Sequence, residues 1–370
     1  MAGTKRSPDA ARRNTRMRFE QWAKNPTCEA NTISAVRNVR MSDVAQRINL
    51  PNTYGQSPFA IIRGDQFERT LFRRDGKRLI DALIKKEVLP EGAKGMIDFR
   101  IKLNGGSRIT SLDQAIEETN EFIKAVANSS AKKRKSLPVL AAGATVRIPK
   151  GVLLPEALLI IDALAIRTDL EKPVLYVGEV KVYPDRGGHT DTSELASARA
   201  QAGIYLHGLD LVVEALGVDK KVDVCREGFL VLTRPGSNFP SVRAGEDLRY
   251  QAERAKRGFE LLESAAESLD KELWAKETEE VPDELIAAVL EGETSYCESC
   301  LSFCDLASRC FLHTKQNGDP IILGDEVGRF VGNVSLPRAM ELLEGSKPKN
   351  DAEVDLVRRI QESEGVVGNE

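Results

Sequence analysis

Three charged residues interrupt two segments whose apolar pattern predicts buried strands. Asp162 lies in the run 158–166, and Glu179 and Lys181 lie two positions apart in the run 174–183. Side chains alternate between the two faces of a strand, so Glu179 and Lys181 share one face. If the two strands pair as a hairpin, Asp162 reaches the same edge as Glu179. The sequence therefore predicts that two carboxylates and an amine converge.

These groups are suited to a hard divalent cation and to phosphate chemistry. Two close carboxylates repel each other, and Mg²⁺ or Mn²⁺ removes that repulsion while accepting oxygen ligands. An ammonium beside the metal would orient a water and stabilise charge that develops on a pentacovalent phosphorus. The combination indicates hydrolysis of a phosphodiester. A salt bridge on a half-buried strand would use the same residue types, so the strands alone do not decide.

The next predicted helix adds two polar residues. Gln201 and Tyr205 lie four positions apart and therefore on one helical face, directly after the second strand. The order Asp162, then Glu-Val-Lys at 179–181, then Gln-x-x-x-Tyr resembles the motifs of the RecB-like branch of PD-(D/E)xK nucleases. The resemblance covers order and spacing over residues 160–207.

The resemblance carries expectations about fold and activity. It implies an α/β fold with a PD-(D/E)xK, restriction-endonuclease-like core, in which helices flank a mixed central sheet. A helical N-terminal part and a C-terminal cysteine-cluster region would accompany this core. The implied activity is that of a metal-dependent DNA nuclease, an exonuclease on DNA ends or single strands. DNA repair, recombination, phage defence and CRISPR adaptation are all compatible with it.

The same resemblance implies a set of metal ligands. Asp162 and Glu179 would hold Mg²⁺ or Mn²⁺, with the carbonyl of Val180 as a further ligand. In the family, an upstream helix carries Gly-x-x-x-His, and the histidine also binds the metal. Here Gly64 has the matching position and Glu68 stands where the histidine would be. The role is assigned to Glu68, against the alternative of an ordinary exposed helix carboxylate.

Three further residues receive roles from the resemblance. Lys181 would position the attacking water. Gln201 and Tyr205 would contact the substrate strand or buttress Lys181. DNA, as a single strand or at an end, is the expected partner, together with proteins of a repair or defence complex.

Four of the six cysteines lie close together, with the spacing Cys297-x2-Cys300-x3-Cys304-x5-Cys310. So many soft ligands in a short run indicate a metal site, and zinc or an iron–sulfur cluster would fit. In the CRISPR-associated RecB-like exonucleases and the AddB nuclease domain, one early and three late cysteines hold a 4Fe-4S cluster. The resemblance therefore favours 4Fe-4S over zinc. Cys28 makes five candidates for four positions, so either the late quartet is complete or Cys28 replaces one member.

The spacing of apolar residues and the helix-capping residues predict the helices and strands that position these side chains. Expected strands are 144–148, 158–166, 174–183 and 229–233. Expected helices are 58–74, 111–128, 192–207, 246–276, 336–343 and 352–362. The expected organisation is a basic flexible arm at 1–18, a helical region at 19–140 that contributes to the active site, the nuclease core at 141–245, and a helical region with the cysteine cluster at 246–370.

Charge and hydropathy limit the remaining function classes. The 53 Lys and Arg against 56 Asp and Glu give a net charge of -3, which excludes a globally basic protein and leaves local nucleic-acid contacts. The basic run 132–135 is expected to be an exposed loop, with a DNA-backbone role as the alternative. No segment has the length and apolar character of a membrane span or a secretory signal, so we expect a cytoplasmic protein.

A second interpretation belongs to another class of protein. The chain would be a catalytically inactive nucleic-acid-binding or scaffold protein, in which a zinc or iron–sulfur site stabilises the fold. The acidic residues would then be vestigial.

Overall fold

In the computed structural model, seven strands form one mixed sheet within the described residues. The described residues are 15–51, 58–100, 109–148, 153, 157–267, 269, 274–275 and 281–367. The strands are β1 (Met96–Asp98), β2 (Leu140–Arg147), β3 (Leu158–Arg167), β4 (Val174–Pro184), β5 (Asp223–Val224), β6 (Glu227–Thr233) and β7 (Pro240–Asp247). The predicted α/β class with a mixed, helix-flanked sheet is confirmed.

Helices surround and follow this sheet. In chain order they are α1 (Thr15–Lys24), α2 (Glu29–Val36), α3 (Met41–Arg47), α4 (Pro58–Leu71), α5 (Lys77–Lys85), α6 (Leu112–Asn128), α7 (Ala131–Arg134), α8 (Thr192–Ala215), α9 (Arg249–Ala265), α10 (Asp283–Glu291), α11 (Ala307–Gln316), α12 (Asp325–Val331), α13 (Leu336–Leu343) and α14 (Asp351–Val367). Short 3₁₀ turns occupy Glu298–Ser302 and Pro320–Leu323. None of these described helices is long and apolar enough to cross a membrane.

The sheet has the strand order β1-β2-β3-β4-β6-β7, and β5 pairs with β4. Neighbours β2 and β3, β3 and β4, and β6 and β7 are antiparallel, whereas β1 with β2 and β4 with β6 are parallel. The hairpin expected between the strands of Asp162 and Glu179 is therefore present. Short strands β1 and β5, and strand β7, were not expected from the sequence.

Alternation along β4 separates the two faces of the sheet. Val180 belongs to an apolar core with Phe67 and Leu71 of α4 and with residues of α5. Its neighbours Glu179 and Lys181 consequently face away from that core, on the side of β4 where α8 packs. This arrangement brings the charged residues of β4 to the helix that carries Gln201 and Tyr205.

Two expected helices have wrong boundaries. Helix α8 continues past Gly208 to Ala215. Gly208 does not mark the end of the helix; it lies against the side chain of Leu159, where a β-carbon has no room. The expected helix 246–276 is α9, which begins at Arg249, since Glu246 is still in β7 and pairs with Gly228, and which ends at Ala265.

Other boundaries shift by smaller amounts. Helix α4 ends at Leu71 and not at 74, because residues 74–76 adopt left-handed backbone conformations. Helix α6 begins as expected, with the Ser111 side chain accepting from the Gln114 amide at 3.1 Å. The basic run expected to be a loop is the short helix α7, and Arg134 within it is buried. The expected helix start at Ser57 lies outside the described residues.

The chain divides into two units, each built from separate segments. One unit comprises residues 1–17 and 56–267 and contains the sheet. The other comprises residues 18–55 and 268–370 and has its own apolar core, which includes Ile33, Val44 and Leu285. This division is not the sequential one expected from the sequence. Helix α1 begins at Thr15, inside the expected basic arm, whose first fourteen residues lie outside the described part.

Candidate active site

The β3–β4 hairpin places the two predicted carboxylates side by side. Ala163 pairs with Gly178, so Asp162 and Glu179 are the next opposing residues along the two antiparallel strands. Opposing residues point to the same face of a sheet. Asp162 Oδ2 accepts a hydrogen bond from the amide of Val180 at 3.0 Å. The expected role of the Val180 carbonyl as a metal ligand stays a prediction.

Glu179 is fully buried, and its surroundings are unusual for a carboxylate. Its Oε1 lies 2.8 Å from Lys181 Nζ and 3.6 Å from Arg16 Nη1. Within the described residues, neither Oε1 nor Oε2 has a hydrogen-bond partner of good geometry, and Oε2 also lacks an ion-pair partner. Burial, and then the charge of Asp162, raise the pKa of Glu179 to about 8, although Lys181 and Arg16 act in the opposite direction. A buried carboxylate with an unpaired oxygen is costly unless a proton or a cation binds it.

Lys181 is the nearest cation to Glu179 and is mostly buried. Burial lowers the pKa of Lys181, but the charge of Glu179, its hydrogen bond and the charge of Asp162 together outweigh burial, and the net shift of the pKa is upward. The ammonium therefore stays charged beside the carboxylate. That charge is what the expected positioning of water or phosphate oxygen requires.

Gln201 and Tyr205 face the carboxylates from α8, and both are buried. The Tyr205 hydroxyl lies 3.5 Å from Asp162 Oδ1. Among the described residues, neither side chain forms a hydrogen bond to Lys181. Burial and the charges of Asp162 and Glu179 raise the pKa of Tyr205 well above its usual value, so its hydroxyl keeps its proton.

Arg16 completes this group, and sequence reasoning missed it. Its Nη1 donates to Gln201 Oε1 and to Tyr205 Oη, both at 2.9 Å, in addition to its ion pair with Glu179. The residue was assigned to a flexible arm because it lies in a cluster of basic residues. No sequence signal marked Arg16 as a site residue, because the helix α1 that carries it was not predicted.

Glu68 approaches Asp162 from α4 but is engaged by another arginine. Arg100 Nη1 lies 3.4 Å from Glu68 Oε2, and Arg100 Nη2 lies 2.9 Å from Asp98 Oδ2. Burial, and then the negative charge of Asp162, raise the pKa of Glu68. Arg100 crosses Gly143 so closely that a β-carbon there would lie 2.3 Å from its Cγ. Neither Arg100 nor Asp98 was predicted at the site.

The cysteines of the other unit come together in its core. Cys28, Cys300 and Cys304 are buried in one apolar cluster, and Cys297 and Cys310 pack against it. Cys297 Sγ lies 3.5 Å from Cys300 Sγ, and the Asn25 side chain donates to Cys300 Sγ at 3.3 Å. The early cysteine is therefore a neighbour of the late quartet.

Burial keeps several of these thiols protonated. It raises the pKa of Cys300 and of Cys304 to about 12. Burial and the charge of Cys28 also raise the pKa of Cys310. A cation that binds thiolates would have to displace these protons, which couples its binding to pH.

Two observations bear on whether metal groups fit these places. The donor chemistry fits: thiols surround one buried core, and carboxylates adjoin a buried oxygen that lacks a partner. In the described part of the chain, however, no three or more histidine, cysteine, aspartate or glutamate side chains are grouped so that they could hold a metal ion. Both metal sites stay predictions that rest on proximity and donor type.

Comparison of the chain with protein-family models, with curated proteins and with solved structures finds no match.

Proposed function

We propose that this protein is a metal-dependent DNA nuclease of the RecB-like PD-(D/E)xK type, an exonuclease that acts on ends or single strands in the cytoplasm. The observation that carries the proposal is the state of Glu179. It is fully buried, its Oε2 lacks a partner among the described residues, and Asp162 and Lys181 adjoin it. If Glu179 and Lys181 formed only a structural salt bridge, the carboxylate of Asp162 would not be needed beside them. Its negative charge makes the burial of Glu179 more costly.

The residues of the candidate active site have distinct parts in the proposed reaction. Asp162 and Glu179 would hold Mg²⁺ or Mn²⁺, assisted by the Val180 carbonyl and by Glu68 once Arg100 releases it. A bound divalent cation would supply charge neutralisation and an activated water. Lys181 keeps a positive charge beside Glu179, where it orients a water or a phosphate oxygen.

The α8 residues have a supporting part. Gln201 and Tyr205 accept hydrogen bonds from Arg16 and are buried, so their orientation is fixed. In the protein without metal, Arg16 supplies part of the positive charge that Glu179 needs. Because Arg16 pairs with Oε1, the unpaired Oε2 stays available for a cation.

A cleavage assay tests the proposal. Wild-type protein with Mn²⁺ is expected to shorten end-labelled single-stranded or double-stranded DNA, and chelation should stop the reaction. Glu179→Gln should abolish cleavage because it removes the anionic ligand while conserving shape. Glu121→Gln, on the exposed face of α6, is the matched control and should cleave at the wild-type rate. Cleavage that survives Glu179→Gln would refute the site assignment.

A second candidate function is favoured by the Arg16 contacts. If Arg16 is the permanent partner of Glu179, the protein is an inactive nucleic-acid-binding or scaffold protein. Calorimetric titration with Mn²⁺ separates the two candidates. The nuclease proposal expects binding by wild type, and binding about fivefold tighter in Arg16→Ala, because a competing positive charge is removed. Absence of Mn²⁺ binding in both proteins would favour the inactive candidate.

We further propose that the cysteine cluster holds a structural 4Fe-4S group. The five clustered thiols support this assignment, and a zinc ion is the alternative to the cluster. In this account the cluster stabilises its own unit and takes no part in hydrolysis.

A further inference from the structure

A strongly basic concave surface follows α4. Arg73, Arg74, Lys77 and Arg78 are exposed and line a cavity of about 320 Å³, together with Thr70 and Asp81. We call the segment 73–78 the basic turn. Lys77 pairs with Asp81 at 3.5 Å, whereas Arg73 and Arg74 form no ion pair with any described residue. Asp75 and Asp81 offset part of the charge of the four basic residues, and the net positive charge that is left marks a local anion-binding surface in a chain of net charge -3.

The backbone holds the basic turn in an uncommon conformation. Arg74, Asp75 and Gly76 have φ angles of 53°, 54° and 65°. Gly76 also lies so close to the sheet that a β-carbon would be 2.8 Å from Met96 Sδ. Left-handed conformations are unfavourable for arginine and aspartate, and they persist where the surroundings enforce them. The turn is therefore fixed in place and presents its arginines outward.

Phe72, Arg100 and Glu68 form a series of contacts next to the basic turn. Phe72 immediately precedes the turn, and the Arg100 guanidinium lies 4.4 Å from its ring centroid. The same Arg100 pairs with Glu68 at 3.4 Å. The charge of Asp162 in turn acts on Glu68. The start of the basic turn is thus connected to Glu68 through packed side chains.

An aromatic ring borders the basic turn. Phe239, near the tip of the β6–β7 hairpin, is 50% exposed, and Arg78 lies 5.0 Å from its ring centroid. Exposed Arg234 begins the same hairpin loop. Basic groups next to an exposed ring are the combination that binds single strands, because phosphates meet the charges and a base stacks on the ring.

We infer that the basic turn and Phe239 bind single-stranded DNA. Arg73, Arg74 and Lys77 contact successive phosphates, and a base stacks on Phe239. The identity of the strand as a substrate rests on the proposed function. Binding itself does not, because it is measured without hydrolysis.

Fluorescence anisotropy with a short labelled DNA strand, without divalent metal, tests the inference. Arg73→Ala/Arg74→Ala should weaken binding on the order of tenfold and reduce the slope of log affinity against log salt by about 1.4, since each single-strand phosphate contact contributes about 0.7. Lys132→Ala/Lys133→Ala removes the same charge from exposed positions of α7 and should bind like wild type. Equal weakening in both double variants would mean a non-specific charge effect and would overturn the inference.

A second variant tests the single strand against a duplex. Phe239→Ala should weaken single-strand binding about fivefold or more and leave duplex binding unchanged, because paired bases cannot stack on the ring. Equal losses for both substrates would overturn the choice of a single strand. Glu121→Gln, on the exposed face of α6, should bind DNA like wild type. If wild type does not cleave DNA but the double arginine variant still shows weakened binding, the binding surface stands and the nuclease proposal fails. If the double arginine variant binds as tightly as wild type, the binding surface is refuted and the nuclease proposal is unaffected.

Discussion

Glu179 makes the fold sensitive to pH in the absence of metal. The carboxyl has a pKa of about 8 in the folded protein against 4.5 when unperturbed, because burial and Asp162 disfavour its charge. The charged groups that face it are Asp162, Lys181 and Arg16, and the Tyr205 hydroxyl adjoins them. Below pH 4.5 both folded and unfolded states hold the proton. As pH rises towards 8, the unfolded state releases it first, so folding stability falls across this window.

Replacing Glu179 should therefore stabilise the chelated protein. We predict that the free energy of unfolding of wild type, measured by denaturant titration with EDTA, falls between pH 5 and pH 8. In Glu179→Gln this fall should be reduced, leaving the variant more stable at pH 7 by on the order of 2 kcal/mol. A variant less stable than wild type at pH 7 would show that Glu179 is a satisfied salt-bridge partner and not a carboxylate that awaits a cation.

At the scale of elements, the sequence predicted the strands that carry Asp162, Glu179 and Lys181, because apolar alternation and turn residues are local signals. It did not predict Arg16 or Arg100 at the site. Both reach the carboxylates through tertiary packing of elements far away in sequence, and an arginine in a polar segment has no local mark of such a contact. The end of α8 was misjudged for a related reason: Gly208 is required by its contact with Leu159 and not by a helix end.

The packing of α8 against α9 depends on Gly203, between the two motif residues. A β-carbon there would lie 2.4 Å from Gln251 Cβ and 2.7 Å from the Gln251 carbonyl carbon. Because backbone of α9 blocks the space, Gly203→Ala is predicted to destabilise the protein by about 1 to 3 kcal/mol in thermal or denaturant unfolding. Gly64→Ala in α4 is the control, since nothing lies within 4 Å and alanine favours a helix. Equal stability of both variants would contradict the close approach.

At the scale of the whole molecule, each of the two units has its own core, and Cys28 and the late quartet belong to only one of them. Residues 28 and 297–310 meet there although more than half of the chain separates them. The sequence identified these candidates by residue type and spacing. Their convergence depends on how α2 and α10 pack, which no short-range pattern specifies.

This separation predicts that the cluster and the nuclease site fail independently. Protein purified without oxygen should be brown with about four irons per chain. Cys310→Ser should lose the colour and melt at a lower temperature, since ligand binding stabilises that unit. Asp162→Ala and Cys225→Ser, which lie in the sheet-containing unit, should keep the colour. If Cys28→Ser loses the colour, Cys28 is a ligand of the cluster, and if it keeps the full colour, the late quartet holds the cluster. A colourless, zinc-loaded wild-type protein would refute the iron–sulfur proposal.

The most direct test of the central claim is the single-turnover rate at which the protein cleaves end-labelled single-stranded DNA with Mn²⁺, in wild type and in Lys181→Ala. We predict cleavage by wild type and a rate at least about a hundredfold lower in the variant, because a preorganised charge at the reacting phosphate is lost. The variant should still bind Mn²⁺, at least as tightly as wild type because a positive charge beside Glu179 is removed, and Lys124→Ala on the exposed face of α6 should cleave normally. A wild-type protein that leaves DNA intact, or a Lys181→Ala variant that cleaves at the wild-type rate, would contradict the account.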